Sequence, residues 1–465
     1  MKETNSLTEG NVLKVLIKFA FPFVIANMIQ ALYGAVDLFV IGRYCNPESV
    51  AAVSTGTQVT QIITSMITGL TLGGTILAGK YTGMNDKEGV KKTIGTTLSV
   101  FAIVAVILTA LMFVFTPGIL RLLKTPEESF ELAKTYVLIC SGGIIFICGY
   151  NGISAILRGC GDSKNPMIFV AFSCILNIIG DLVLTGMLGL GVAGVAIATV
   201  GAQAVSMICV VVYLNRQQFI FTFKLSNFRI DVEKAKELAA VGIPISLQEC
   251  MVRLSFLYLT SVTNRLGVYA ASAVGVASKY DVFAMLPATS IANALAAITA
   301  QNYGAGKPER AKSSLFAGLG FAVFCSALFW GWAQLSPETM IGVFTKDANI
   351  IQEGIPFFRA CSYDYLAVTF VFCLNGYLNG RSKTIFTMIS CCFGALALRM
   401  PIIYVVYTYW PGNMLRIGSI APVVSGFMAC YTLLYVLYDF RKEKTRVPNQ
   451  GFKNILKEKG KADLN

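Results

Sequence analysis

The chain has 465 residues, 55% of them hydrophobic and only 14% charged, with a mean hydropathy of +0.65. A soluble protein of this length needs a charged surface that the composition does not supply, so a soluble globular fold is excluded and an all-α polytopic membrane protein is expected. The net charge of +13 comes with no histidine, which rules out imidazole relays, HExxH zinc sites and Ser-His-Asp triads and leaves any proton handling to carboxylates.

Apolar runs read against turn signals predict twelve spanning helices, near 12–41, 50–79, 93–116, 130–157, 166–187, 192–214, 235–262, 270–302, 312–334, 351–379, 384–409 and 418–440. These runs approach or exceed the roughly 20 residues that cross a bilayer core. The first lacks a small-residue cleavage site and carries Pro22, Asp37 and Gly42-Arg43, so it reads as a retained helix rather than a signal peptide. The thirteen cysteines are odd in number and lie mostly inside spans, as at Cys140, Cys174, Cys209, Cys250, Cys391 and Cys392. They are expected to pack as small apolar residues without a disulfide framework.

Basic residues alternate between loops. One set holds Lys80, Lys91, Lys92, Arg158, Lys164, Arg229, Lys234, Lys307, Arg310, Lys312, Arg381 and Lys383, and the tail adds Arg441, Lys442, Lys444 and Arg446. The other set holds little beyond Arg43, Arg121, Lys124, Lys134, Arg265, Lys346 and Arg416. The positive-inside rule then puts both termini in the cytoplasm. It also accounts for the net charge without nucleic acid, and the basic tail reads as an anionic-lipid contact.

The chain repeats itself at a period of about 220 residues. Phe21-Pro22 recurs as Ile243-Pro244, Ala52-Val53 as Ala273-Val274, and Ala78-Gly79-Lys80-Tyr81-Thr82-Gly83 as Ala300-Gln301-Asn302-Tyr303-Gly304-Ala305. Leu157-Arg158-Gly159 with Ser163-Lys164 recurs as Leu378-Asn379-Gly380 with Ser382-Lys383. Six helices per repeat give two parallel lobes: an N-lobe over 1–214, a cytoplasmic linker over 215–232, a C-lobe over 233–440 and the tail over 441–465. Parallel lobes meeting at a cleft are the geometry of a carrier that rocks around a central site.

Five acids lie inside the predicted spans: Asp37, Asp181, Glu249, Asp281 and Asp364. A carboxylate at mid-bilayer costs about 2.5–3.5 kcal/mol on insertion scales, so each is expected to face a bundle interior, a cavity or an ion. Asp37 near the outer end of helix 1, Asn177 and Asp181 on one face of helix 5, and Thr199 near the outer start of helix 6 share one depth. No Lys or Arg of the N-lobe spans lies at that depth, so this group suits H⁺ or Na⁺. In the C-lobe, Glu249, Asp281 and Asp364 are accompanied by Arg253, Lys279, Arg359 and Arg399, with Glu249 and Arg253 at i,i+4 and Lys279 and Asp281 on different faces. Three acids against four bases lead to the expectation of a largely neutralised network.

The opening stretch Leu7-Thr8-Glu9-Gly10, Phe21-Pro22, Tyr33, Val36-Asp37, Ile41-Gly42-Arg43 and Ala51-Ala52-Val53 resembles that of the multidrug and toxic compound extrusion (MATE) family. Leu157 to Lys164, Asn177 to Asp181, Gly191 to Ala196 and Gln301 to Gly306 are similar to later parts of the same family. The resemblance covers nearly the whole chain and points to the NorM-like bacterial branch. It implies a twelve-helix, two-lobed fold in a bacterial cell membrane, no enzymatic activity, no cofactor and no resident metal. It further implies export of organic cations in exchange for H⁺ or Na⁺. The family's N-lobe cation site uses residue types that match Asp37, Asn177, Asp181 and Thr199, and its C-lobe acids match Glu249 and Asp364. Asp281, Arg253, Lys279 and Arg399 are candidates for the same C-lobe site.

Pro22 and Pro244, in spanning helices, are candidates for bending, because a missing N–H loosens the helix there. Tyr33, one turn before Asp37, and Met28 are candidates to line a greasy substrate site. The expected partners are small organic cations and membrane lipids, with the protein acting as a monomer. A lipid-linked precursor flippase is the alternative reading, the membrane-embedded cations of the C-lobe then serving a diphosphate headgroup. A membrane enzyme or receptor fits least.

Overall fold

A computed structural model describes residues 7–217, 219–224 and 227–462. The side chains of 264, 268 and 444–462 lie outside that description, and with them Lys444, Arg446 and most of the tail 441–465. The twelve expected spans are present: α1 (Val12–Tyr44), α2 (Pro47–Gly83), α3 (Lys87–Leu122), α4 (Glu127–Gly142 continuing as Ile144–Gly159), α5 (Lys164–Met187), α6 (Gly191–Arg216), α7 (Val232–Thr263), α8 (Tyr269–Gly304), α9 (Pro308–Leu335), α10 (Ala348–Gly380), α11 (Thr384–Tyr409) and α12 (from Met414). At 1.5 Å per residue, helices of this length span about 40–55 Å, more than a bilayer core of about 30 Å. Their ends therefore reach the polar interfaces, where capping groups such as Asn11, Asp86 and Asp347 accept backbone N–H bonds.

Four irregularities depart from the simple helices expected. The span expected at 130–157 is two helices bent by 46° at Gly142-Gly143. The bend has a packing cause: a Cβ on Gly143 would fall 2.5 Å from the Val200 side chain, so α4 turns where it presses on α6. Span α10 breaks at the equivalent place, between Cys361 and Tyr363, and Gln334 donates 2.8 Å hydrogen bonds to the Arg359 carbonyl and the Ser362 hydroxyl beside the break. Span α5 ends as a π-helix over Leu182–Met187, and α11 contains one over Phe393–Arg399. A π-turn widens the helix and re-aims its side chains; here one begins immediately after Asp181 and the other ends on Arg399.

The lobes meet along one face of α2. Added Cβ atoms at Gly69 and Gly83 would collide with the backbones of Ser246 and Gln301, and one at Gly73 would lie 2.9 Å from the Gly242 Cα. Gly304 of α8 is equally bare against the Lys80 carbonyl. This small-residue seam lets backbones approach as in other membrane helix pairs. Across it, Ser246 donates to the Met66 carbonyl (2.7 Å) and Gln301 to the Gly159 carbonyl (2.6 Å). At its end Lys80 pairs with Glu237 at 3.0 Å, and Tyr81 donates to Glu237 at 2.8 Å. Asn27 of α1 donates to the Ser290 hydroxyl of α8 at 3.1 Å.

These junctions lie in the half of the molecule that carries the denser basic loops, called here the basic end. Beyond Asn27 and Ser246 the two lobes part. Gln58, Gln61, Thr64 and Met66 of α2 are exposed, as are Arg253 of α7 and Lys279 and Phe283 of α8. The result is a cleft closed at the basic end and open at the other. Helix α1 belongs to both walls: Leu16, Phe19 and Phe23 pack with Ile291, Leu315 and Tyr377 of the C-lobe, whereas Ile41 packs with Val53, Tyr136 and Val195 of the N-lobe.

Outside the spans, the linker before α7 is held against α3. The backbone N–H of Lys234 donates to Asp231 and draws that carboxyl below its ordinary value, with smaller help from the Glu233 N–H and from Lys92.

In a cysteine-depleted background, Lys80→Cys with Glu237→Cys should be joined efficiently by a short bifunctional thiol reagent. Adding Gly83→Val should lower the yield about tenfold, because a branched side chain cannot enter the seam. Equal yields in the two backgrounds would show that backbone contact does not hold the lobes together.

Candidate functional site

The N-lobe group assembles as the spacing suggested. Helix α5 brings Asn177 and Asp181 to one face, and the close approach of Gly180 to α6, where an added Cβ would lie 2.9 Å from Ala198, sets Thr199 beside them. Asn177 Nδ2 donates to Thr199 Oγ1 at 3.4 Å. From α1, Asp37 faces both Asp181 and Asn177, and Tyr33 faces Thr199. The site is dry: Asn177 and Asp181 are 0% exposed and Asp37 is 5% exposed.

No donor satisfies these oxygens. Both carboxylate oxygens of Asp181, Oδ1 of Asp37, Oδ1 of Asn177 and the Tyr33 hydroxyl are buried without a hydrogen-bond partner among the described residues. Two carboxylates facing each other in a sealed pocket cannot both hold a charge unless a cation joins them. A proton bridging the pair, or Na⁺ bound by the Asp37, Asn177, Asp181 and Thr199 oxygens, would satisfy the group. Sodium fits its oxygen-only donor set. Among the described residues no group of three His, Cys, Asp or Glu is placed to hold a metal ion.

The C-lobe charges do not form the single neutralised network expected from their number. No ion pair within 4.0 Å involves Glu249, Asp281, Asp364, Arg253, Lys279, Arg359 or Arg399 among the described residues. Helical phase separates them. Asp281 turns into the C-lobe toward Tyr365 and Asp364, and Asp364 is met by Ser425 and Arg399. Arg399 donates to Ser255 at 3.1 Å and lies over the Phe256 ring at 4.6 Å. Arg253 and Lys279 are exposed on the cleft, Glu249 sits one turn before Arg253, and Arg359 is exposed elsewhere, on a groove with Tyr363 and Ser419.

Pro22 is buried where α1 passes from the C-lobe core toward the N-lobe, and Pro244 is buried next to the seam. Met28 is 43% exposed and Tyr33 half-buried. Sequence reasoning missed the junction that closes the basic end: Lys80, Tyr81, Lys234 and Glu237, with Lys234 Nζ 2.5 Å from the Tyr81 hydroxyl. The available signal was the four-residue spacing of Gly69 and Gly73, and again of Gly79 and Gly83, which marks a helix-packing face.

Adding Na⁺ at constant ionic strength, or lowering the pH, should raise the unfolding midpoint of the purified protein by roughly 2 °C or more, as a ligand of the native state does. Asp37→Asn with Asp181→Asn should remove that response. An unchanged response in the double variant would place the cation elsewhere.

The family model described as MatE matches the chain twice, over residues 22–183 and 244–405, together more than half of its length. The probable multidrug resistance protein YpnP of Bacillus subtilis (strain 168) is 26% identical over 437 residues, 93% of this chain and 96% of its own. The probable multidrug resistance protein NorM of Thermotoga maritima is 24% identical over 432 residues, 91% of this chain and 92% of its own. The fold is shared with a MATE protein crystallised in a bent conformation, at a TM-score of 0.90 and 22% identity, over 96% of this chain and 99% of that one. With its doubled six-helix architecture, this chain belongs to the MatE family, the multidrug and toxic compound extrusion transporters of the membrane, and is not an enzyme.

Proposed function

We propose that this transporter works as a secondary antiporter, exporting organic cations in exchange for H⁺ or Na⁺ taken up by Asp37 and Asp181. The observation that carries this reading is the pair of facing carboxylates with orphaned oxygens in a dry pocket. Only a cation makes that arrangement tolerable in a membrane.

The basic end faces the cytoplasm of a bacterial cell, both termini included, by the distribution of Lys and Arg. The cleft then opens outward, the orientation from which a coupling ion enters. Loading neutralises the pair and favours the arrangement in which α1 packs on α5 and α6. Helix α1 also carries the message, since its first half is part of the C-lobe core. Bending at Pro22 would move Asp37 relative to α5 while Leu16 and Phe19 stay in place, and Pro244 gives α7 the same freedom beside the seam. Release of H⁺ or Na⁺ inward requires the junction at Lys80 and Glu237 to open. That pair is partly exposed, and exposed pairs contribute about 0.2–1 kcal/mol, so it can serve as a reversible latch.

Tyr33 borders the coupling site, and it and the exposed Met28 are assigned to the substrate path. Asp281, Asp364 and Arg399 supply the polar interior of the C-lobe and, with Glu249 one turn before Arg253, bear on substrate or ion through α7, α8, α10 and α11. One chain supplies both lobes and the cleft, so the working unit is a monomer in contact with lipid. The lipid-linked precursor flippase is not favoured, since YpnP and NorM, among the similar proteins, are named for multidrug resistance.

Vesicles holding the purified protein should accumulate a fluorescent organic cation against its gradient when a pH or Na⁺ gradient is imposed. One of the two gradients should drive it at least about tenfold faster than none. Asp37→Asn with Asp181→Asn should reduce the driven rate to the undriven one. Wild-type rates in that variant would refute coupling at the N-lobe.

A further inference from the structure

Arg253 and Lys279 have no role in the coupling site, yet both lie on the wall of the cleft. On α7, Ser246 touches α2 across the seam, and Arg253 follows seven residues later, two full turns on the same face. On α8, the backbone carbonyl of Ala297 approaches Gly79 across the seam beside the Ala300 methyl, and Lys279, eighteen residues earlier, comes round close to the same face after five turns that include Pro287. Asp281, two residues on, consequently turns the other way, into the lobe.

The two cations also share a depth. Arg253 stands about 10 Å above Ser246 and Lys279 about 27 Å above Ala297, at 1.5 Å per residue. Their seam partners on α2, Gly69 and Gly79, are themselves about 15 Å apart along the helix. The two heads are therefore set at nearly one level, on adjacent helices, in the open half of the cleft.

The surroundings leave this charge unbalanced. Opposite, the exposed positions of α2 are neutral: Gln58, Gln61, Thr64 and Thr68. Glu249, one turn below Arg253, is the one acid near them on α7, and it lies beyond 4.0 Å of either cation. Leu257 and Phe283, exposed at 46% and 44%, add apolar surface beside the charges. While the cleft is open, water solvates both heads. When the lobes close over the cleft, two cations and one acid are pressed against a neutral wall and lose that water, which is costly unless a counter-charge arrives with the substrate.

We propose that Arg253 and Lys279 form a subsite for an anionic group, a carboxylate, sulfonate or phosphate, so that the transported class includes amphiphilic zwitterions and organic anions. The guanidinium offers a paired-donor fork to such a group and the ammonium a point charge, while Leu257 and Phe283 receive the apolar body. The substrate's own charge then offsets the cost of closure, so that an anionic group favours the occluded state. This assignment rests on the export reading above.

The test uses one rhodamine scaffold in two forms, the free carboxylic acid and its ester, in vesicles of the full-length protein under the driving ion gradient. The free acid should be transported faster than the ester. Arg253→Gln with Lys279→Gln should cut the acid-to-ester rate ratio about tenfold or more while ester transport persists, which also shows that the variant folds. Arg253→Lys should keep much of the preference. A ratio unchanged by the double substitution, with both dyes transported, overturns the subsite and leaves the export reading standing. Transport of neither dye by the wild type overturns both. Gradient-independent translocation of a fluorescent phosphatidylglycerol that needs both cations would support the anion subsite and assign the group to a lipid headgroup.

Discussion

Everything in this molecule hinges on a strip of helix without side chains. Along α2, Gly69, Gly73 and Gly83 bring the N-lobe backbone directly against Ser246, Gly242 and Gln301. Bare contact of this kind is short-ranged and has little hydrophobic penalty on separation within a membrane, where lipid tails are as apolar as leucine. The strip does not act alone: at the basic end Ile76, Leu77 and Tyr81 pack with Leu238, Val241 and Ile245, α1 packs Phe19 and Phe23 into the C-lobe, and a few backbone-directed hydrogen bonds and one partly exposed ion pair complete the junction.

The second organising constraint is the burial of polar groups inside the lobes. Buried polar groups there either find a partner or wait for one. Ser326 and Thr369 share a 2.8 Å hydrogen bond, and Arg399 has Ser255. Asp37 and Asp181 have each other, which is no solution for two anions. Orphaned polar atoms are not confined to that pocket, since Asp364 Oδ1, Tyr365 Oη, Asn375 Oδ1 and Arg399 Nε are also buried without a partner among the described residues. The N-lobe pair differs in that two acids face each other with no base beside them. The two halves of the repeat differ here: acids with no base at the depth of Asp37 and Asp181 in the N-lobe, acids and bases intermixed in the C-lobe. Tyr81 and Tyr303 illustrate it on a smaller scale. Equivalent in the repeat, one donates across the seam to Glu237, and the other bonds Tyr377 and Glu443 within its own lobe.

Much of this was legible in the sequence. The helices follow from the length of their apolar runs, and the depth shared by Asp37, Asn177, Asp181 and Thr199 follows from counting turns. What was not legible depends on neighbours. The break at Gly142-Gly143 follows from pressure against Val200, and the π-turns after Asp181 and before Arg399 follow from hydrogen-bond registers that no local motif announces. The Lys80–Glu237 pair joins residues 157 positions apart. The motif Ala78-Gly79-Lys80-Tyr81-Thr82-Gly83 was visible as a repeat marker, but its role as a contact face requires knowing what lies opposite. The C-lobe charges were counted correctly and grouped wrongly. Counting ignores helical phase, which sends Lys279 to the cleft and Asp281 inward although they are two residues apart.

In the proposed antiport the cation moves through the pocket between Asp37 and Asp181 whenever substrate moves the other way. The most direct measurement loads vesicles with substrate on one side and follows H⁺ and ²²Na⁺ crossing in the opposite direction with no ion gradient imposed. The account predicts countermovement of one of these ions in the wild type and none in Asp181→Asn, with the chain still inserted and folded. Substrate-driven ion countermovement of normal size in Asp181→Asn would contradict it.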